Sequence, residues 1–596
     1  MIDPRAEYAQ RREARRQIVS IQDRRHLQLG NAKLATLLAG AALAWLSLDK
    51  DFFSARWLLP IVVLYMALVI FHERAVRSRD RAQFSVAFYR QGLERIEDRW
   101  AGCGQPGERF RDAKHPYSDD LDIFGRGCLF ELLSSARTPM GEDRLAKWLR
   151  GPSSLTEVLE RQALVVLLRE KLDLREHLAI TGEHLRAKLD PETLTGWAES
   201  PSILPPGIVR WLAAALAFAA ALALGILLDT RNFLPLLIVL VPAAILRYKL
   251  RERARTVLDG VACNADGLVL FSLILERLEQ EDLSSPHLQR FAESLKSKHQ
   301  QASQLVRRLA RIVYWSDARH GLLGHMLDLP FVYAAQIAFA AEAWRRNYGS
   351  GMRGWIDATA EMEALLSVAA YSYEHPADQF AEFVDAASSP AFLDGCDLGH
   401  PLIPASDCVR NSVRLDSHSP VLLVSGSNMS GKSTFLRTVG INAVLAMAGA
   451  PIRGKSLRLA PLSLGTRIRS SDSLQEGRSN FFAEVLRIRQ VFDLAKEPPP
   501  ALFLFDELLE GTNSVDRRIG AEGILRGLLA RGALGIVTTH DLALTEIHPS
   551  LGSVVHNSHF QDYVEEGKMR FDYKLREGVV PRGNALELMR LIGLEV

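Results

Sequence analysis

Four uncharged apolar runs punctuate an otherwise mixed chain: Leu34–Leu48, Trp57–Phe71, Trp211–Leu228 and Asn232–Leu246. A short polar link with Asp49, Lys50, Asp51 and Arg56 separates the first two, and Asp229, Thr230 and Arg231 separate the last two. Trp211–Leu228 reaches spanning length, and the other three lie near the margin of about 17 residues. Pairing with tiny turns predicts two transmembrane helical hairpins, hairpin 1 over 31–75 and hairpin 2 over 207–247, in preference to four buried core helices. Basic residues lie outside each pair. Arg11, Arg12, Arg15, Arg16, Arg24, Arg25 and Lys33 precede the first run, Arg74, Arg77, Arg79 and Arg81 follow the second, and Arg247, Lys249, Arg251, Arg253 and Arg255 follow the fourth. That asymmetry places the outer ends of both hairpins in the cytoplasm, and Trp45, Trp57 and Trp211 stand where interfacial anchors stand. A fifth apolar stretch, Leu327–Ala341, carries Asp328 and Gln336 and predicts one packed helix.

The remaining chain changes texture once. Residues 76–206 and 248–383 read as long amphipathic helices, for instance Leu268–Leu278 and Leu305–Val313, and predict one all-α body interrupted by the second hairpin. Breaks fall at Gly102-Cys-Gly, His115-Pro and Gly151-Pro. From about 384 to 596, short β-like runs alternate with helices (Val421–Val424, Ala501–Phe505, Ala533–Thr538), which predicts a mainly parallel sheet in an α/β domain. Residues 1–30 are a basic N-terminal segment. Its charged stretch is too long for a cleavable signal peptide, and no small-residue cleavage site precedes a soluble domain.

Composition narrows this picture little. The 596 residues include 48% hydrophobic and 24% charged residues, ordinary for a folded protein. A net charge of +2 leaves any nucleic-acid surface to local patches. Cys103, Cys128, Cys263, Cys396 and Cys408 form no C-x-x-C pair and are expected to be reduced, buried thiols.

The chemistry concentrates in the α/β part. Gly426-Ser427-Asn428-Met429-Ser430-Gly431-Lys432-Ser433, followed by Thr434, is a complete phosphate loop between an apolar strand and a helix-compatible stretch. Backbone N–H groups of such a turn surround phosphates, Lys432 reaches the β- and γ-phosphates, and the Ser433 hydroxyl ligates Mg²⁺. Leu502–Phe505 ends in Asp506 and Glu507, at the sheet edge where ligands bind. Asp506 then supports the metal and Glu507 is the general base for the attacking water. His540 ends a third strand, Ile536–Thr539, and is expected to sense the γ-phosphate or the lytic water. The cofactors expected are ATP and Mg²⁺.

These segments together resemble the ATPase of the MutS family: Gly426–Thr434, Ser471-Asp472 with Gly477–Glu484, Asp506–Asp516 and Thr538-Thr-His540. Asp122–Phe130, Thr138–Gly141 and Trp148-Leu149 resemble the start of that family's helical lever. His400–Ile403 with Val409–Asn411, and Phe571–Gly578 through Ile592-Gly593, resemble the entry and closing segments of its ATPase. The resemblance implies Asn428 and Lys432 on the phosphates, Ser479 touching the γ-phosphate of a partner subunit, and a homodimer. The sequence also departs from the family. A hairpin stands where the mismatch-reading domain belongs, a second interrupts the lever, and Glu510 replaces the usual arginine after the strand-end acids.

The expectation is a membrane-anchored MutS-like ATPase at the cell or inner membrane, with ATPase and lever on the cytoplasmic side. DNA binding is open, and mismatch reading by the usual route is not expected. The alternative is an ABC-type ATPase driving transport or remodelling of a membrane partner without DNA. Against that alternative, no L-S-G-G-Q segment precedes Asp506 and the apolar runs hold no ionisable residues.

Overall fold

A computed structural model describes residues 3–48, 56, 58–205, 207–261, 265–281, 286–319, 322–384, 391–427, 429–468, 480–541, 544, 554–565 and 568–580. The chain is mostly helical, with an α/β sheet region towards its C-terminus.

Helices α1 (Pro4–Leu48) and α2 (Leu58–Ile96) lie antiparallel along their length. Near the link, a Cβ on Gly40 would lie 3.2 Å from the Ile61 side chain. Halfway down, Lys33 Nζ is 3.0 Å from His72 Nδ1, and at the far end the Tyr8 and Tyr89 rings meet at 5.6 Å. Both helices run unbroken past residues 30 and 75, so the basic segment and the apolar run are one element. Arginine, glutamine, glutamate and leucine are all good helix formers, and no proline interrupts α1 after its first residue.

The polar ends of this pair are built into the helical body. Tyr8, 1% exposed, donates its hydroxyl to Glu374 Oε1 at 3.2 Å. Arg95 clasps the same carboxylate through Nε at 2.6 Å and Nη2 at 2.5 Å. Arg15 grips Glu176 at 2.8 and 3.1 Å, and the Tyr89 hydroxyl adds a third bond at 2.7 Å. A buried charge is stable only with such pairing.

The body continues with α3 (Leu129–Leu133), α4 (Pro139–Leu149), α5 (Leu155–Leu168), α6 (Leu172–Leu185) and α7 (Pro191–Glu199). Thr138 caps α4, Ser154 with Glu157 closes a capping box on α5, and Asp190 caps α7. A second helical pair, α8 (Ile208–Thr230) and α9 (Leu234–Asp259), follows and shares the core of the body through Ala213, Ala243 and Leu250. Then come α10 (Ala265–Glu279), α11 (Pro286–Ser294), the β1 (Lys296–Ser297) and β2 (Gln300–Gln301) ribbon, α12 (Ala302–Ala318), α13 (Leu322–Phe331), α14 (Tyr333–Tyr348) and α15 (Met352–Glu374). The single helix expected over Leu327–Ala341 is two. Val332 takes a left-handed φ of 50° just after Pro330, and Asp328 Oδ1 accepts from the Ala334 N–H at 3.0 Å to start α14.

Three helices among the described residues, α1, α2 and α8, are long and apolar enough to cross a membrane. Four spans were expected. The fourth, α9, falls short because Arg247, Lys249, Arg251, Arg253 and Arg255 follow Leu246 within the same helix. Trp57 and the link at 49–55 lie outside the described residues.

Short strands β3 (Gln379–Phe380) and β4 (Glu382–Phe383) lead into the α/β part. There β5 (Leu393–Leu398), β6 (Asn411–Leu415), β7 (Val421–Ser425), α16 (Lys432–Ala448), β8 (Pro451–Ile452), β9 (Ser456–Leu459) and β10 (Ser463–Arg467) precede α17 (Asn480–Leu494). The described residues continue through β11 (Ala501–Phe505), α18 (Ser514–Leu529), β12 (Leu534–Thr539), β13 (Val555–Glu565) and β14 (Lys568–Glu577). The main sheet has six strands in the order β10-β11-β12-β7-β13-β14, parallel except for the antiparallel β14 edge. Alternate residues face opposite sides, as a pleat requires. Leu422, Val424, Leu502, Leu504 and Ile536 share one core with α16 and the helical body. Val421, Leu423, Phe503, Phe505 and Val537 pack on the other face with Ile488 and Val491 of α17 and Leu525 of α18. Burial on both faces explains why these strands are continuous apolar runs.

The free thiols are less uniform than expected: Cys128 is buried, Cys396 and Cys408 are half-buried and Cys103 is exposed. Cys263 lies outside the described residues.

Removing one partner of the Arg95–Glu374 pair leaves a buried charge alone. Glu374→Ala is expected to cost about 3 kcal/mol. The double variant Arg95→Met/Glu374→Leu recovers most of that in thermal unfolding of the detergent-solubilised chain. A double variant no better than the single would contradict this account of the pair.

Candidate functional site

The first turn after β7 depends on glycine. Gly426 has φ 155° and Gly431 φ 103°. A Cβ on Gly426 would sit 2.9 Å from Ser430 Oγ and 3.0 Å from the Phe560 carbonyl oxygen. Any side chain would therefore push the turn off β13. The turn delivers Lys432 as the first residue of α16, with Ser433 and Thr434 following.

Lys432 is 4% exposed and donates to the carbonyls of Gly426 and Ser427 at 2.9 Å each. Its Nζ lies 3.8 Å from Glu507 Oε1. Burial pulls its pKa below the usual lysine value, and Glu507, Asp506 and Glu510 oppose that in part. Next to it, Ser433 Oγ donates to Asp506 Oδ2 at 2.6 Å. Thr538, at the end of β12, donates its hydroxyl to the other carboxylate oxygen, and the Glu507 N–H donates to Thr538 Oγ1 at 3.2 Å. Arg467, at the end of β10, donates to the Asp506 carbonyl at 3.0 Å and sits 3.5 Å from Glu484.

Glu507 holds a left-handed φ of 51°, an uncommon backbone state for a non-glycine residue. The turn aims its carboxylate between Lys432 and His540, whose Nδ1 is 3.3 Å away. Glu510 joins them: one ligand atom each from Glu507, Glu510 and His540 lies within 4.8 Å of the others.

These groups open onto a cleft of about 650 Å³ bounded by Lys432, Ser433, Asp506 and Glu507 at one end and by His400, Phe560 and Tyr573 elsewhere. Asn411 holds the last of these in place, donating to the Tyr573 carbonyl at 2.9 Å and accepting from the Leu575 N–H at 2.8 Å. A larger cleft of about 860 Å³ lies by Trp148 and Arg161; Lys147, Asp143, Glu157 and Glu361 are in its lining, but no residue of the glycine turn and neither acid ending β11 is.

Two features test the fit of a triphosphate and its metal. The buried hydroxyls of Ser427 and Ser430 have no hydrogen-bond partner among the described residues, which is costly unless a ligand supplies one. Ser433 and Asp506 offer the hard oxygen donors that Mg²⁺ takes.

Of the residues expected from sequence, Gly426, Ser427, Met429, Ser430, Gly431, Lys432, Ser433 and Thr434 form the turn and helix start. Asp506, Glu507 and His540 converge on it. Asn428, Ser479 with the segment at 470–478, and the closing Ile592-Gly593 lie outside the described residues. Sequence reasoning gave no role to Arg467, Phe560 or Tyr573. Each reaches the site from a separate strand, β10, β13 or β14, and although Tyr573 lies in the closing segment Phe571–Gly578, nothing in that segment pointed it at the cleft.

Residues 422–595 match the family model of MutS domain V. The C-terminal part of this chain belongs to the MutS family. Its relatives include the endonuclease MutS2 of Thermus thermophilus, 34% identical over 218 residues, which is 35% of this chain and 27% of that protein. The DNA mismatch repair protein MutS of Streptococcus pyogenes serotype M1 is 32% identical over 189 residues, 31% of this chain and 22% of its own length. The chain therefore spans only about a quarter of these MutS relatives, within the part that carries the site.

His400, buried in the cleft wall, is held neutral by desolvation and then by Arg437, with a pKa of about 4. The unfolded value is about 6.5. Between those values the unfolded chain binds the extra proton, so stability is full above pH 6.5 and falls as pH drops towards 4. Between pH 7 and 5 this is expected to cost about 2 kcal/mol. Unfolding of His400→Gln over the same range should show a shallower loss. An identical pH slope would contradict the assignment.

Proposed function

We propose that this chain is a membrane-anchored MutS-like ATPase that couples ATP binding and hydrolysis to movement of its helical body. The observation that carries the reading is the meeting of Lys432, Ser433, Asp506 and Glu507 beside a turn with two unpartnered buried hydroxyls. In this reading the P-loop domain is 384–596 and the lever is 76–206 with 248–383.

Each residue then has a role. Backbone N–H groups from 426 to 434 and the Lys432 ammonium hold the phosphates, with Asn428 joining them. Lys432 leaves its two carbonyl partners to do so, a short rearrangement for a side chain already in place. Ser433 and Asp506 hold Mg²⁺, which when bound neutralises charge on the phosphate oxygens. Glu507 accepts the proton of the attacking water, and His540 at its side fixes the carboxylate or reads the γ-phosphate. Ser479 contacts the γ-phosphate of the partner subunit in a homodimer.

The apolar lengths of α1, α2 and α8 support an integral membrane location, and the basic residues at their outer ends support a cytoplasmic ATPase. The relatives' printed names, an endonuclease and a DNA mismatch repair protein, support a DNA-related output for the shared domain.

Purified protein in liposomes should hydrolyse ATP. Lys432→Ala and Glu507→Gln should each lower turnover about a hundredfold or more, with Glu507→Gln retaining nucleotide binding. Unchanged rates in both variants would contradict the site. A companion assay with duplex DNA at two salt concentrations reads the output. Stimulation that fades with salt is expected for a DNA partner, and indifference to DNA would contradict it.

A further inference from the structure

Below the apolar part of α1 and α2, a cleft of about 420 Å³ opens between the two helices and α6. Its walls carry Arg15, Arg74, Arg77 and Arg81, with Ser78 and the carboxylate of Glu176. The charge is not balanced from within. Glu176 is already taken by Arg15 and the Tyr89 hydroxyl, and Glu73 serves Arg77 at 3.2 Å. Arg74 and Arg81 have no carboxylate partner among the described residues. His177 of α6 is held below its usual pKa first by burial and then by Arg277 and Arg81.

The position of the cleft is as informative as its charge. Val62, Val63, Met66, Ile70 and Phe71 on α2 are exposed apolar residues, and the Arg74 guanidinium lies 5.9 Å from the Phe71 ring. Arg74 thus stands one turn below an apolar surface left exposed among the described residues. Arg77 and Arg81 continue along the helix, so the three guanidinium groups spread over about 10 Å at the helical rise per residue. We propose that this cleft is a binding site for the headgroup of an anionic phospholipid carrying more than one phosphate. The proposal rests on the membrane reading above and adds a specific ligand to it.

Two alternatives fit less well. A DNA duplex needs a broad basic surface to follow its phosphates, whereas this cleft holds about 420 Å³ and begins one turn from the exposed apolar residues Ile70 and Phe71. Generic attraction of basic residues to an anionic leaflet needs no cleft, and would be shared by Arg251 and Arg253 on α9.

The test uses the full chain in detergent, titrated with short-chain cardiolipin, phosphatidylglycerol and phosphatidylcholine, with inorganic phosphate, and with a duplex oligonucleotide. Cardiolipin is expected to bind about tenfold tighter than phosphatidylglycerol, with phosphatidylcholine and free phosphate far weaker. At about fivefold per arginine, R74Q/R77Q/R81Q should lose about a hundredfold in cardiolipin affinity. R74K/R77K/R81K should stay within about threefold of wild type, and R251Q/R253Q within about twofold. Equal losses in R74Q/R77Q/R81Q and R251Q/R253Q, or no preference over phosphatidylcholine, would overturn the site. Duplex that displaces cardiolipin and depends on the same three arginines would reassign it to nucleic acid. Flotation with phosphatidylcholine vesicles separates the two levels of the argument. A wild type that floats but shows no charge preference removes only the headgroup site, while one that stays at the bottom removes the membrane reading as well.

Discussion

The carboxylate of Glu374 is the joint on which the architecture turns. It is the last residue of α15, it is buried, and it takes both Arg95 of α2 and Tyr8 of α1. A lone carboxylate there would be prohibitively desolvated. The two long helices are therefore held at this end by an electrostatic need as well as by contact area. Further along α15, Glu363 accepts from the Thr138 hydroxyl and from the Arg137 and Thr138 N–H groups. The close approach of α4 to α15 depends on Gly141, where a Cβ would fall 2.4 Å from the Glu363 carboxylate. Burial raises the Glu363 pKa to about 7, so this contact is held partly by a neutral acid.

The same helix reaches the α/β part. The Tyr371 hydroxyl donates to Asp378 at 2.9 Å, and Asp378 lies 3.5 Å from Arg453, just after β8. From there Asn442 of α16 ties back, accepting from the Arg453 N–H at 2.7 Å. Since α16 begins with Lys432, a short chain of packed and hydrogen-bonded groups joins the candidate nucleotide site to the ends of α1 and α2. Rigid helices linked by buried polar groups are the kind of element that moves as a unit.

Much of this was legible in the sequence, and the limits have physical causes. The turn at 426–433, the acids ending β11 and the histidine ending β12 are local patterns whose spacing survives folding. The parallel sheet was legible because strands buried on both faces must be apolar throughout. The length of α1 and α2 was not, since a charged helix segment carries no apolar period to mark it; it is held by distant partners, Asp173 taking Arg11, Glu176 taking Arg15 and Glu374 taking Tyr8, and by packing of Tyr8 with Phe88 and Tyr89. The break at Val332 was hidden because Ala and Leu on both sides favour helix and Pro330 is tolerated near a helix end. Tyr573 and Phe560 could not be assigned to the cleft from sequence, because they arrive on β14 and β13 by sheet order alone. The shortfall of α9 as a span was visible in its arginines, but the pairing with α8 outweighed them.

The central claim is that the site around Lys432 and the feet of α1 and α2 act as one mechanical unit. Hydrogen–deuterium exchange on the full-length chain in nanodiscs tests it most directly, using Glu507→Gln with and without ATP and Mg²⁺. The account predicts that nucleotide changes amide protection both at 426–434 and around Tyr8, Arg95 and Glu374. A change confined to 426–434, with the helix feet unaltered, would contradict it.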